Sequence, residues 1–251
     1  MIQRQRSKKR KCLPRNESKD EPHYESGNIV IYIIGAIALI GLLIVMVRGS
    51  VSPGSAIDAE TIMLRASQVK QYSTELERAV TFVLRNGHSE TDIRFAHPNA
   101  SSAYGLITDT PSRQIFDREG GGAEFRSPPD GINDGTAWQF YARTHIKDMG
   151  TDTAASMRSE LVAVLPNVTE AFCNKVNDFK GQDLTVTDNH DPTANGCIHA
   201  GVGNEFAGVF LDGAAANTLD DGFFTHLPPT QACILCESDG ALHFYHVLLS
   251  R

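Results

Sequence analysis

Ile29 to Val47 reads IVIYIIGAIALIGLLIVMV, nineteen residues without a charge or a strongly polar side chain. At 1.5 Å per residue a helix of that length spans ~28 Å, close to the ~30 Å hydrocarbon core of a bilayer. Lipid offers the backbone no partners, so a single segment satisfies its own groups there by becoming a helix. The stretch predicts a transmembrane helix over 29–47, with the lipid bilayer as its partner. A buried helix in a soluble core is the alternative, disfavoured because such helices seldom lack polar residues over this length.

Charge sets the orientation. Arg4, Arg6, Lys8, Lys9, Arg10, Lys11, Arg15 and Lys19 precede the stretch against four acidic residues, whereas Arg48 alone follows it before Asp58 and Glu60. Cytoplasmic flanks carry the excess of Lys and Arg, so 1–28 reads as a basic cytoplasmic leader and 48–251 as extracytoplasmic. A net +4 before the span leaves −11 after it within the formal −7 of the chain. That acidic balance excludes nucleic acid as a partner of the outer part, because phosphate binding needs clustered Lys and Arg. A secretory signal cleaved near Gly49, Ser50 or Ala56 competes with the anchor, but the apolar run is longer than the usual 7–15 residues.

Residues 48–54 (RGSVSPG) form a linker, and 55–251 is long enough for one compact domain. Ser55 is placed to cap a new helix. Ile62, Ala66, Val69, Ser73, Leu76, Val80 and Val83 then recur at steps of four and three, one apolar stripe on a helix over 55–87 that closes at Asn86-Gly87. A coiled-coil seam is the alternative use of that stripe. Twenty-one glycines and eleven prolines, mostly after residue 98, predict a loop-rich, sheet-containing body over 88–251.

Within that body Ser89–Asp92 suits a short helical turn, and 123–126, 137–142, 159–165 (SELVAVL) and 242–249 (LHFYHVLL) read as strands. Residues 169–179 read as a helix with Phe172, Cys173, Val176 and Phe179 on one side. The expected class is α+β, a transmembrane helix followed by a long amphipathic helix packed on a small antiparallel sheet.

Cysteine carries the firmest chemical expectation. Cys12 lies in the leader, whereas Cys173, Cys197, Cys233 and Cys236 lie on the oxidising side, where two disulfides are expected with three connectivities open. Cys233-Ile-Leu-Cys236 also has zinc-ligand spacing, with Cys173, Cys197 and His199 to complete a set, and a redox dithiol is a third use of the same motif. No cofactor is expected. His243 and His246 are three apart in a predicted strand and so point to opposite faces. His88, His97, His145, His190 and His226 fall in loop-like sequence. The turns at 130–135 and 212–222 offer oxygens to calcium but lack EF-hand spacing. No GxSxG, HExxH or phosphate-loop pattern occurs.

A basic leader ending in Gly27, an apolar helix directly after it, an amphipathic helical continuation and a sheet domain with late cysteines resemble the type IV pilins and pseudopilins. The resemblance implies cleavage between Gly27 and Asn28, packing of the apolar helix with other pilin-like subunits, and cysteines that tie a C-terminal loop to the sheet. It also implies a bacterial inner membrane, with the N-terminus cytoplasmic and the body periplasmic. Asn28 and Tyr32 stand where the family carries a hydrophobic first residue and a glutamate at the fifth mature position. The expected function is that of a non-enzymatic structural or interaction protein in a surface or secretion assembly. The alternative is an anchored extracytoplasmic enzyme, or a ligand- or metal-binding protein, using the Cys/His-rich C-terminal third.

Overall fold

The computed structural model describes residues 31–40, 53–150, 152–153, 156–181, 187–188, 197–213, 216–219, 224 and 229–251. The chain divides into two compact units, Met1–Pro53 and Gly54–Arg251.

In the first unit residues 31–40 are helical (α1), and Ile31, Tyr32, Ile33, Ile34, Ile37, Leu39 and Ile40 are each 53–72% exposed. Among the described residues no helix is long and apolar enough to cross a membrane. This corrects the expected fold class, in which 29–47 was a transmembrane helix; residues 29, 30 and 41–47 lie outside the described residues.

The second unit begins on α2 (Pro53–Arg85). The described helix already includes Ser55, the expected cap. The end is as the sequence implies. Asn86 N–H bonds to Phe82 O at 3.1 Å, Gly87 N–H to Leu84 O at 3.0 Å, and Gly87 takes φ +88°. The buried stripe comprises Ala66, Val69, Tyr72, Ser73, Leu76, Ala79, Val80 and Val83.

Among the described residues eight strands follow: β1 (Gln139–Ile146), β2 (Asp152–Thr153), β3 (Ser156–Met157), β4 (Glu160–Leu165), β5 (Thr187–Asp188), β6 (Asn217–Leu219), β7 (Gln231–Cys236) and β8 (Leu242–Leu249), with α3 (Glu170–Asp178) after β4. Six of them form one sheet in the order β5-β7-β8-β4-β1-β6, and β2 and β3 pair separately. The centre is antiparallel, but β5 and β6 join its edges in parallel. The sheet is therefore mixed, a second correction to the expected class. Each edge strand pairs with a strand that is not its neighbour in sequence, β5 with β7 and β6 with β1.

Both faces of the sheet are covered. Phe140, Ala142, Leu161, Ala163, Leu165, Cys233, Phe244 and Leu248 join one core with α2 and α3, while Tyr141, Val162, Val164, Ile234, Tyr245 and Val247 join another with Cys197, Ile198, Leu219 and Phe224. Every residue of β4 is buried, the physical reason that SELVAVL is continuous and not alternating. A bulge between Tyr141 and Thr144 shifts the face of β1, so Tyr141 and Ile146 meet the same core.

α3 starts at the cap Thr169, whose hydroxyl accepts from Phe172 N–H. It is fastened to β7 at one residue in two ways. Cys173 is disulfide-bonded to Cys233, and the Asn177 amide accepts from Cys233 N–H at 2.8 Å while donating to Cys233 O at 3.0 Å. Residues 123–126, expected as a strand, pair with side chains of α2 instead. Glu124 N–H bonds to Glu75 at 3.3 Å and Arg126 N–H to the Tyr72 hydroxyl at 3.1 Å.

Candidate functional site

The four outer cysteines form two disulfides, Cys173–Cys233 and Cys197–Cys236. All four are buried. Oxidised in pairs on opposite faces of the sheet, they do not form the four-thiolate zinc set or the free dithiol that CxxC spacing allowed. Gly27 and Asn28, the expected cleavage point, lie outside the described residues.

What the disulfide Cys197–Cys236 brings together is a set of polar side chains beside it. His199 stands two residues beyond Cys197, Asp239 lies in the β7–β8 turn three residues beyond Cys236, and His243 projects from β8. The turn is pinned by Gly240 N–H to Cys236 O and Cys236 N–H to Ala241 O, each 2.9 Å, with Gly240 at φ +69°. Asp239 Oδ1 accepts from Ala241 N–H at 2.9 Å, which aims Oδ2 away from the turn.

That single oxygen meets both imidazoles. His243 Nε2 donates to Oδ2 at 3.0 Å and His199 Nδ1 approaches it at 3.4 Å. The two rings stack with centroids 4.5 Å apart. His199 Nε2 lies 2.9 Å from Gln139 Oε1, which also accepts from the Tyr141 hydroxyl, and His243 Nδ1 accepts from Asn167 N–H at 3.4 Å. The His243 side chain is fully buried, and those of His199 and Asp239 are 19% and 38% exposed.

Burial pulls His243 down to about 4 against the partial opposition of Asp239, so its ring is neutral at pH 7. Burial raises the Asp239 carboxyl, but the Ala241 N–H and the neighbouring His243 and His199 outweigh it and hold the group below the ordinary range. The arrangement is a neutral imidazole and an ionised carboxylate beside a second imidazole, open to solvent on the carboxylate side.

The sequence placed His243 and His246 on opposite faces, and they are. His246 faces α2, where Nε2 donates to Glu77 at 3.0 Å and Nδ1 lies 3.3 Å from the Gln231 amide. The sequence did not place Asp239 at all; its signal was a turn after a CxxC strand, legible only once β7 and β8 are recognised as a hairpin. His145, read as a loop residue, is buried in β1 with Nδ1 3.0 Å from Arg158 O. His97 stacks on Phe125 at 4.5 Å. His190 and His226 lie outside the described residues. The acidic turn at 130–135 uses its oxygens internally: Asn133 accepts from Gly135 N–H, and Asp134 from Thr136 N–H and the Asn167 amide.

No known protein family, no curated protein and no solved structure matches the chain.

Proposed function

We propose that the chain is a non-enzymatic, pilin-like structural or interaction protein, a subunit of a surface or secretion assembly that presents a disulfide-stapled body in an oxidising compartment. One observation carries the reading. The ten residues of α1 are apolar all round and exposed, and a helix of that kind is stable only where something covers it. Like segments of neighbouring subunits provide such a cover, and Gly35, Ala36 and Ala38 leave room for close helix approach.

Two features of the body support the same role. α2 lays its stripe on the sheet from Ala66 onward, whereas Met63 and Leu64, nearer its N-terminus, are 42% and 61% exposed. Beside them an apolar groove of about 600 Å³ runs between α2 and α3, lined by Ala59, Ile62, Met63 and Ala171 among others. The two disulfides fit a body that works where thiols oxidise.

The test is cross-linking in the native host of full-length chains carrying Ile33→Cys or Ile37→Cys, followed by mass spectrometry of the mature N-terminus. The reading expects a ladder of cross-linked species and an N-terminus at Asn28. A chain that remains monomeric with its leader intact contradicts it.

A further inference from the structure

We propose that His199, Asp239 and His243 form a binding site for one divalent cation of the zinc class. Their donor atoms all lie within 4.8 Å of one another. Asp239 and His243 are four residues apart, in the β7–β8 turn and at the start of β8, and the fold brings His199 to them from the loop after Cys197, 40 residues before Asp239.

The geometry suits a small cation. Zinc holds imidazole nitrogen and carboxylate oxygen at ~2.0–2.2 Å, which places tetrahedral donors ~3.3–3.5 Å apart. The Asp239 Oδ2 distances to His199 Nδ1 and His243 Nε2, 3.4 and 3.0 Å, are already near that spacing. Two imidazoles and one carboxylate select zinc, copper or nickel over magnesium and calcium, which prefer all-oxygen shells. Solvent reaches the cluster past the part-exposed Asp239, leaving a side for a water or a fourth ligand.

The supporting shell is built. The disulfide Cys197–Cys236 fixes the loop bearing His199 against the strand that leads into the Asp239 turn. The Ala241 N–H holds the carboxylate, and the Gln139 amide oxygen accepts from His199 Nε2, the bond that leaves Nδ1 free as a ligand. Binding through His243 Nε2 moves that ring's proton to Nδ1, so the contact from Asn167 N–H is given up. At 3.4 Å it is a long hydrogen bond.

The test uses the full-length oxidised chain, stripped with EDTA and then titrated with zinc sulfate by equilibrium dialysis, beside Asp239→Asn and His199→Ala. Mass spectrometry of both disulfides and the melting temperature without metal establish that the variants fold. The wild type is expected to bind one saturable zinc equivalent that both variants lose or bind at least 100-fold more weakly. Its melting temperature should rise with zinc while theirs stays fixed. Cobalt(II) in place of zinc is expected to give visible absorption bands that zinc abolishes. Absence of that saturable equivalent in the wild type, or equal binding in all three folded chains, overturns the proposal.

Discussion

Cys233 and Cys236 lie three residues apart on β7 and face opposite sides of the sheet. Cys233 is bonded to Cys173 on α3, and Cys236 to Cys197 in the loop layer on the other face. One short strand thereby fastens both layers that cover it. In a helix or a tight turn the same spacing brings two sulfurs to one site, but the two-residue period of a strand separates them.

The bridges close loops with sequence separations of 60 and 39 residues. The chain-entropy relation gives about 4 kcal/mol for each. Paired Cys173→Ser/Cys233→Ser and Cys197→Ser/Cys236→Ser chains should each lose stability of that order in urea denaturation. Peptide mapping of the unreduced wild type should return these two linkages. Unchanged denaturation midpoints would contradict the assignment.

Tyr104 supplies a hydrogen bond that its own short 3-10 turn does not require. Its hydroxyl accepts from the buried Phe140 N–H at 2.8 Å, while Phe140 O accepts from Phe206 N–H. Burial raises the phenol far above its ordinary pKa, so it stays protonated. Tyr104→Phe strands the β1 N–H and should cost about 1–3 kcal/mol. Amide hydrogen exchange at Phe140 should quicken; a protected amide in the variant would show that another group takes over.

Gly121 marks a close approach of the 120–122 turn to α2. A Cβ there would lie 2.7 Å from Ile115 O and 2.8 Å from the Ala79 methyl, with α2 fixed by the core behind it. Gly121→Ala should destabilise the fold by about 1–3 kcal/mol through overpacking. Adding Ala79→Gly should recover part of that loss, since it removes one of the three opposing atoms within 3.0 Å. Thermal melts of the two variants decide the matter.

His246 should make stability fall in mild acid. It is buried between β8 and α2, facing Glu77 and Lys70 of α2, Gln231 of β7 and Lys180 after α3. Burial pulls its pKa below 6.5, Glu77 opposes, and the two lysines add to the lowering. The unfolded chain then takes up the proton first as pH drops. The contribution is complete above about 6.5 and declines below that value towards the folded pKa. His246→Gln should show a shallower loss between neutral pH and pH 5 than the wild type. Equal slopes in paired denaturation curves would count against it.

Much of the body was legible in the sequence. The 3.6-residue stripe gave α2 and its C-terminal glycine, Thr169 with Phe172, Cys173 and Val176 gave α3, and SELVAVL and LHFYHVLL gave β4 and β8. β7 is not legible in the sequence because QACILC holds a single β-branched residue and no aromatic, and burial between two paired strands makes it a strand. Residues 123–126 look like a strand because aromatic and alternating residues suit any half-buried extended chain. Whether their N–H groups meet another strand or the side chains of Tyr72 and Glu75 is a tertiary matter.

By itself the sequence determined the α+β class, the apolar character of 29–47, the long helix and the presence of cysteines able to pair. These depend on periodicity and composition, which act over a few turns of chain. The parallel edge strands, the choice among three disulfide connectivities and the meeting of His199 with Asp239 and His243 were decided only by the tertiary structure. They depend on which distant segments share a face or an edge, and the energy that selects one arrangement comes from burial shared across the whole core.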